Sequence, residues 1–132
     1  MAGIMALDVL LSSMKPALMD GEYVFCVVPG KLEDYIGLTP LATFQESEGL
    51  TLLLDKSVAE SKGLTFDCAF KQITLTVHSS LEAVGLTAAV STKLAEKGIS
   101  ANVIAAYYHD HIFVQAEVAQ RALAALQEFN EH

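Results

Sequence analysis

The stretch Ala69–Glu117, AFKQITLTVHSSLEAVGLTAAVSTKLAEKGISANVIAAYYHDHIFVQAE, decides the fold. Phe70 to Val77 alternates, with Phe70, Gln72, Thr74 and Thr76 on one face and Lys71, Ile73, Leu75 and Val77 on the other. A period of two is a strand. From Leu86 the apolar positions move to Ala89, Val90 and Leu94, one stripe of a helix. Gly98 ends that helix, because the residue just past a helix end favours a left-handed conformation. Val103–Tyr108 and Ile112–Ala116 are again strand-like, rich in β-branched and aromatic residues, with His109 and Asp110 read as the turn between them.

Outward from this stretch, Val118, Ala122, Leu126 and Phe129 recur at helical spacing, with Gln120, Arg121, Gln127 and Glu128 between. The order strand, helix, strand, strand, helix fits a ferredoxin-like sandwich, α+β, with both helices on one face of an antiparallel sheet. A right-handed crossover makes the first strand and the strand after the helix parallel, with the third strand slotted between them. The end of the first strand, at His78, is then expected on the same rim as His109–Asp110–His111 and the start of the helix. That rim is the first place to look for a small-molecule site.

Towards the N-terminus, Ile4, Leu7, Leu11 and Met14 mark an amphipathic helix that ends before Pro16. Asp20–Gly21 is a turn, and Tyr23–Val28 reads as an apolar strand buried on both faces. Lys31–Pro40 reads as an ordered loop, and Ala42–Glu46 with Leu50–Leu54 as a hairpin about Ser47–Glu48–Gly49. Ser57 and Glu60 have capping-box spacing for a short helix stopped by Gly63, and Thr65–Cys68 reads as a last strand. No linker separates the halves. The chain therefore divides as 1–67 and 68–132, two sandwich halves packed in tandem, each one strand short of a full set. A continuous sheet across the halves or across a dimer would supply the missing partners.

Composition narrows the function. Hydrophobic residues make up 52% and charged residues 18% of the 132, and mean hydropathy is +0.40. That is more apolar surface than one small core needs, which predicts a homodimer. No apolar run approaches the ~20 residues of a membrane span. The N-terminus lacks a basic start and a small-residue cleavage site, so the expected location is cytoplasmic. Eight basic against 16 acidic residues give a net charge of −8, with the basic residues scattered. Nucleic acid is excluded as an expected partner, because neutralising phosphates needs a clustered basic face. Cys26 and Cys68 match no zinc spacing and read as buried free thiols.

Val84-Gly85-Leu86-Thr87, Leu94-Ala95-Glu96-Lys97-Gly98-Ile99-Ser100 and Ala106-Tyr107-Tyr108-His109-Asp110-His111-Ile112-Phe113-Val114 together resemble an ACT domain. The branch they resemble includes the cytosolic arginine sensors and the regulatory regions of aspartokinases. The whole chain is similar to small stand-alone bacterial proteins made of two ACT-like halves. Two positions depart from the pattern: Val84, where many ACT domains carry proline, and His109 and His111, where threonine and an aromatic are usual. The resemblance implies a non-catalytic regulatory module that binds a small amino acid or related metabolite at an interface between domains.

The candidate ligand residues follow from both readings. His78, Ser79, Ser80, Glu82, Val84, Gly85 and Leu86 join a strand end to a helix start, where free backbone N–H groups and the helix dipole suit a carboxylate. Gly85 would allow close approach to the backbone, and Glu82 or Asp110 would neutralise an ammonium. A plainer reading has Ser79 and Glu82 as a capping box and Gly85 as a packing glycine. A metal held by His78, His109 and His111 is a further alternative, opposed by the absence of a second carboxylate or cysteine in the group. No cofactor is expected. No G-x-S-x-G elbow, P-loop or H-E-x-x-H is present, so no residue is assigned a catalytic role. A structural dimerisation module without a ligand is the competing function.

Overall fold

Ile73 and Leu75 are buried on one face of the strand that their alternation predicts, and Gln72 and Thr74 are buried on the other. The computed structural model in which this is seen describes residues 2–76 and 85–130. In chain order its main elements are α1 (Ala2–Ser13), β1 (Pro16–Leu18), β2 (Tyr23–Val28), β3 (Ala42–Glu46), β4 (Gly49–Asp55) and α2 (Lys56–Ser61). They continue with β5 (Phe70–Leu75), α3 (Leu86–Glu96), β6 (Asn102–Ala105), β7 (Asp110–Gln115) and α4 (Ala119–Gln127). They form two compact units. An inner unit is Gly21–Phe70, and an outer unit joins Met1–Asp20 to Lys71–His132.

The outer unit is a ferredoxin-like α+β sandwich. Its strands run β1-β5-β7-β6, so the third strand does lie between the first and the one after the helix. β6 and β7 are antiparallel, as are β1 and β5 with Leu18 opposite Ile73 and Pro16 opposite Leu75. The strand that the second half lacks in sequence is thus β1, drawn from the N-terminal segment. α3 and α4 cover one face, where Leu86, Val90, Leu94, Ala122 and Leu126 meet Ile73, Leu75, Ile112 and Val114 in one core. Met14 joins that core with 0% exposure.

Gly98 ends α3 as read, and charged side chains from α4 and its C-cap join it there. Gly98 sits at φ +74, its N–H donates to Ala95 O and the Ile99 N–H donates to Leu94 O, each at 2.9 Å. That is a Schellman ending, with buried Ile99 packed back on the helix. Arg121 donates to the Lys97 carbonyl at 2.8 Å, and Lys93 and Lys97 both reach Glu128 at 3.2 Å.

The inner unit pairs β3-β4-β2, all antiparallel. Glu46 opposes Gly49, so the β3–β4 turn is Ser47–Glu48. Val24, Cys26 and Val28 pack with Leu50, Leu52, Leu54 and Ala59 in a second core.

Several local expectations are corrected. β2 is buried on one face only: Val27, on the other, is 64% exposed. Residues 65–68 are not a strand, and Cys68 is exposed while Cys26 is buried. The cap of α2 is Asp55, which accepts from the Ser57 N–H and hydroxyl, so the predicted Ser57 cap is two residues late. The β6–β7 turn spans Ala106–His109, closed by the Ala106 N–H donating to His109 O at 3.0 Å. Tyr107 and Tyr108 therefore form its tip, both exposed and stacked edge to face at 5.1 Å. Neither enters the core. Among the described residues no helix is long and apolar enough to cross a membrane.

Candidate functional site

Strand alternation puts Gln72 and Thr74 of β5 and His111 of β7 on the sheet face away from the helices. There they make a three-way polar contact: His111 Nδ1 lies 3.0 Å from Gln72 Nε2 and 3.0 Å from Thr74 Oγ1. Gln72 Nε2 also donates to Thr74 Oγ1 at 3.3 Å. The Gln72 amide N–H can only donate, which suits a neutral imidazole with Nδ1 as acceptor, while the Thr74 hydroxyl can serve either way. Burial, helped by nearby His109 and opposed by Asp110, holds the His111 pKa below its ordinary 6.5. Thr74 lies near the end of β5 and His111 near the start of β7, so those two strand ends share a rim.

Because the turn closes at His109, His109 and His111 are not divided by it and have the same strand parity. His109 Nδ1 is buried and has no hydrogen-bond partner. Asp110 is half-buried as the first residue of β7, opposite Ala105. Gly85 is the N-cap of α3 at φ +96. The positive φ favours glycine, and a Cβ there would press the tip of the Leu7 side chain at 3.1 Å. Leu86 is in the core, not at a ligand surface. His78, Ser79, Ser80, Glu82 and Val84 lie outside the described residues. Among the described residues no group of three or more His, Cys, Asp or Glu side chains is arranged for a metal.

The neutral His111 gives a pH prediction. An unfolded chain takes up the imidazole proton near 6.5, before the folded one does. Stability is therefore full above 6.5 and falls as pH drops through the lowered folded value. Urea midpoints from pH 8 to pH 4 are expected to decline over that window. His111→Gln, which has no titrating ring, is expected to flatten the decline. Equal slopes in both proteins would refute the assignment.

Sequence reading missed a second concave region, which lies wholly within the inner unit. A cavity of about 700 Å³ is walled on one side by Gly37, Leu38, Thr39, Pro40 and Leu41. Its other side is Tyr23 with Asp55, Ser57, Val58, Ser61 and Lys62. The first wall is fixed by the Leu41 N–H donating to Leu53 O at 2.8 Å and the Thr39 N–H donating to Ile36 O at 2.9 Å. Thr39 turns the chain at φ +52, a left-handed conformation uncommon for a β-branched residue. The one sequence signal for this region was the Ser57/Ser61 spacing, which puts two hydroxyls on one face of a helix.

Two family models describing the ACT domain match the chain, one over residues 2–71 and one over residues 69–128. A crystal structure of a protein of unknown function from Vibrio cholerae, titled a possible transport protein, is 64% identical. The match covers 97% of this chain and 98% of that one, with a TM-score of 0.90. The ligand-free regulatory subunit of aspartate kinase from Thermus thermophilus superposes with a TM-score of 0.67 at 11% identity, over 89% of this chain and 97% of that one. The corresponding subunit from Thermus flavus gives 0.60 at 10% identity, over 87% and 96%. At those identities the two kinase subunits show a shared fold. No curated protein matches. With the sandwich, the strand order and two tandem matches in hand, the chain belongs to the ACT-domain family.

Proposed function

We propose that this ACT-domain protein is a non-catalytic regulatory module, cytoplasmic and homodimeric, that binds a small amino acid or related metabolite. The ligand contacts lie on His78, Ser79, Ser80, Glu82, Val84 and Gly85 and on Asp110, with Leu86 anchoring the helix start in the core. The observation that carries the reading is the 3.0 Å approach of Thr74 to His111, which brings the end of β5 beside the start of β7 and so beside Asp110. A helix start and a carboxylate suit the two charges of an amino acid. Membership in a family of regulatory ligand-binding domains supports it further.

A thermal-shift panel of the twenty amino acids tests it. A ligand at 100 times its Kd adds about 2.7 kcal/mol to stability. Glu82→Gln and Asp110→Asn are expected to weaken that shift. Flat melting curves across the panel count against the proposal. The competing reading, a dimerisation module without a ligand, is favoured by the exposed apolar side chains Phe44 (71%) and Val27. It predicts flat curves together with a stable dimer in sedimentation.

A further inference from the structure

We infer that the inner-unit cavity is a separate binding site for a short apolar peptide with free termini, its ammonium end held at Asp55 and its carboxylate end at Lys62. This inference is independent of the reading for His78–Leu86 and Asp110. The cavity's size, about 700 Å³, falls within the roughly 300–1,000 Å³ of small-molecule sites. Its lining is divided by chemistry. Leu38, Pro40, Leu41 and Val58 supply apolar wall, while charge of both signs lies along α2.

The two charges are at opposite ends of that helix. Asp55 is the N-cap and Lys62 the C-cap, which at a 1.5 Å rise per residue puts their backbones about 10 Å apart. Ser57 and Ser61 line the interval. A free amino acid carries both charges on one carbon, whereas a peptide separates them along its length, as the two ends of the helix do. An extended peptide advances roughly 3.4 Å per residue, so two or three residues fit the span with their side chains on the apolar wall. Asp55 presents its charge reliably. Its Oδ1 accepts from the Ser57 N–H and hydroxyl, and these bonds hold its carboxyl below the ordinary carboxylate range. Lys62, like Lys15, Lys31 and Lys71, enters no ion pair among the described residues, and it is the one of these that lines the cavity. The wall at Thr39–Leu41 is held by backbone hydrogen bonds, so the cavity exists without a ligand.

The structure also supplies a clean blocking variant. Gly37 lines the cavity, and an added Cβ there meets nothing within 4 Å. Gly37→Phe is therefore expected to fill the space while leaving the backbone undisturbed. Backbone amide NMR on the full chain, titrated with leucyl-leucine, is the test. The expected result is shifts at 37–41 and 57–62 that saturate, with N-acetyl-leucyl-leucine and leucyl-leucinamide each binding at least tenfold more weakly. Gly37→Phe is expected to retain a folded spectrum and lose those shifts, and Lys62→Gln to weaken binding of the dipeptide. Undisturbed 37–41 and 57–62 amides at millimolar dipeptide would overturn the inference. So would capped analogues or free leucine binding as well as the dipeptide. Shifts confined to 85–87 and 110 would sink this site while sparing the proposed function. Shifts at 37–41 and 57–62 with a flat amino-acid panel would do the reverse.

Discussion

Met14→Ala is expected to destabilise the outer unit by about 2–5 kcal/mol, the range for emptying a buried large aliphatic position. Met14 has 0% exposure and belongs to the core built by α3, α4, β5 and β7. It reaches that core from the N-terminal segment, held there by Asn130, whose Nδ2 donates to Ser12 O at 2.9 Å and Met14 O at 2.6 Å. Removing residues 1–20 altogether is expected to do more. That deletion strips β1 from β5 and leaves its edge unpaired, opens the Met14 site and frees the Asn130 amide. Circular dichroism with urea titration measures both. A deletion that left the transition of the 71–132 segment intact would show that β1 is ornamental.

The second large effect is expected in the inner unit. Leu52→Ala removes a side chain of 0% exposure from a core made by only seven buried residues, among them Cys26 directly across the β2–β4 ladder. The cost is again about 2–5 kcal/mol. It bears on a 50-residue unit, Gly21–Phe70, and units that small bury little surface for each residue they order. Amide hydrogen exchange should show it as lost protection across Val24–Val28 and Leu50–Leu54. Protection unchanged at those amides would mean that the core relaxes around the missing atoms.

The parts of this fold that sequence makes readable are those where period and punctuation agree. Alternation over Phe70–Leu75, the stripe Leu86–Val90–Leu94 and the stop at Gly98 all act locally, and each appears where expected. The hairpin tip was misplaced because tyrosine favours strands and aspartate favours turns. Here the Tyr107–Tyr108 stack occupies the tip and Asp110 opens the strand. β1 was illegible for a different reason. Pro16–Leu18 has three residues, too few for any period, and its partner lies far along the chain. Of the candidate site, the nearness of the β5 end to Asp110 and His111 followed from topology. Core burial of Leu86 did not, because a helix start serves packing and binding equally well in sequence. The inner cavity was hidden because its walls come from three segments separated in sequence, brought together by the β2–β4 ladder, core packing of Leu38 and backbone hydrogen bonds.

The split composition of the outer unit also orders events at the ribosome. Pro16–Leu18 is made before the inner unit, yet its ladder partners Ile73–Leu75 emerge only after it. The nascent chain thus carries a waiting strand past a neighbour whose contacts are all local enough to close early. Loop closure on that scale slows the last docking step. Translation speed through residues 21–70 then sets how long α1 and β1 stay open to a wrong partner.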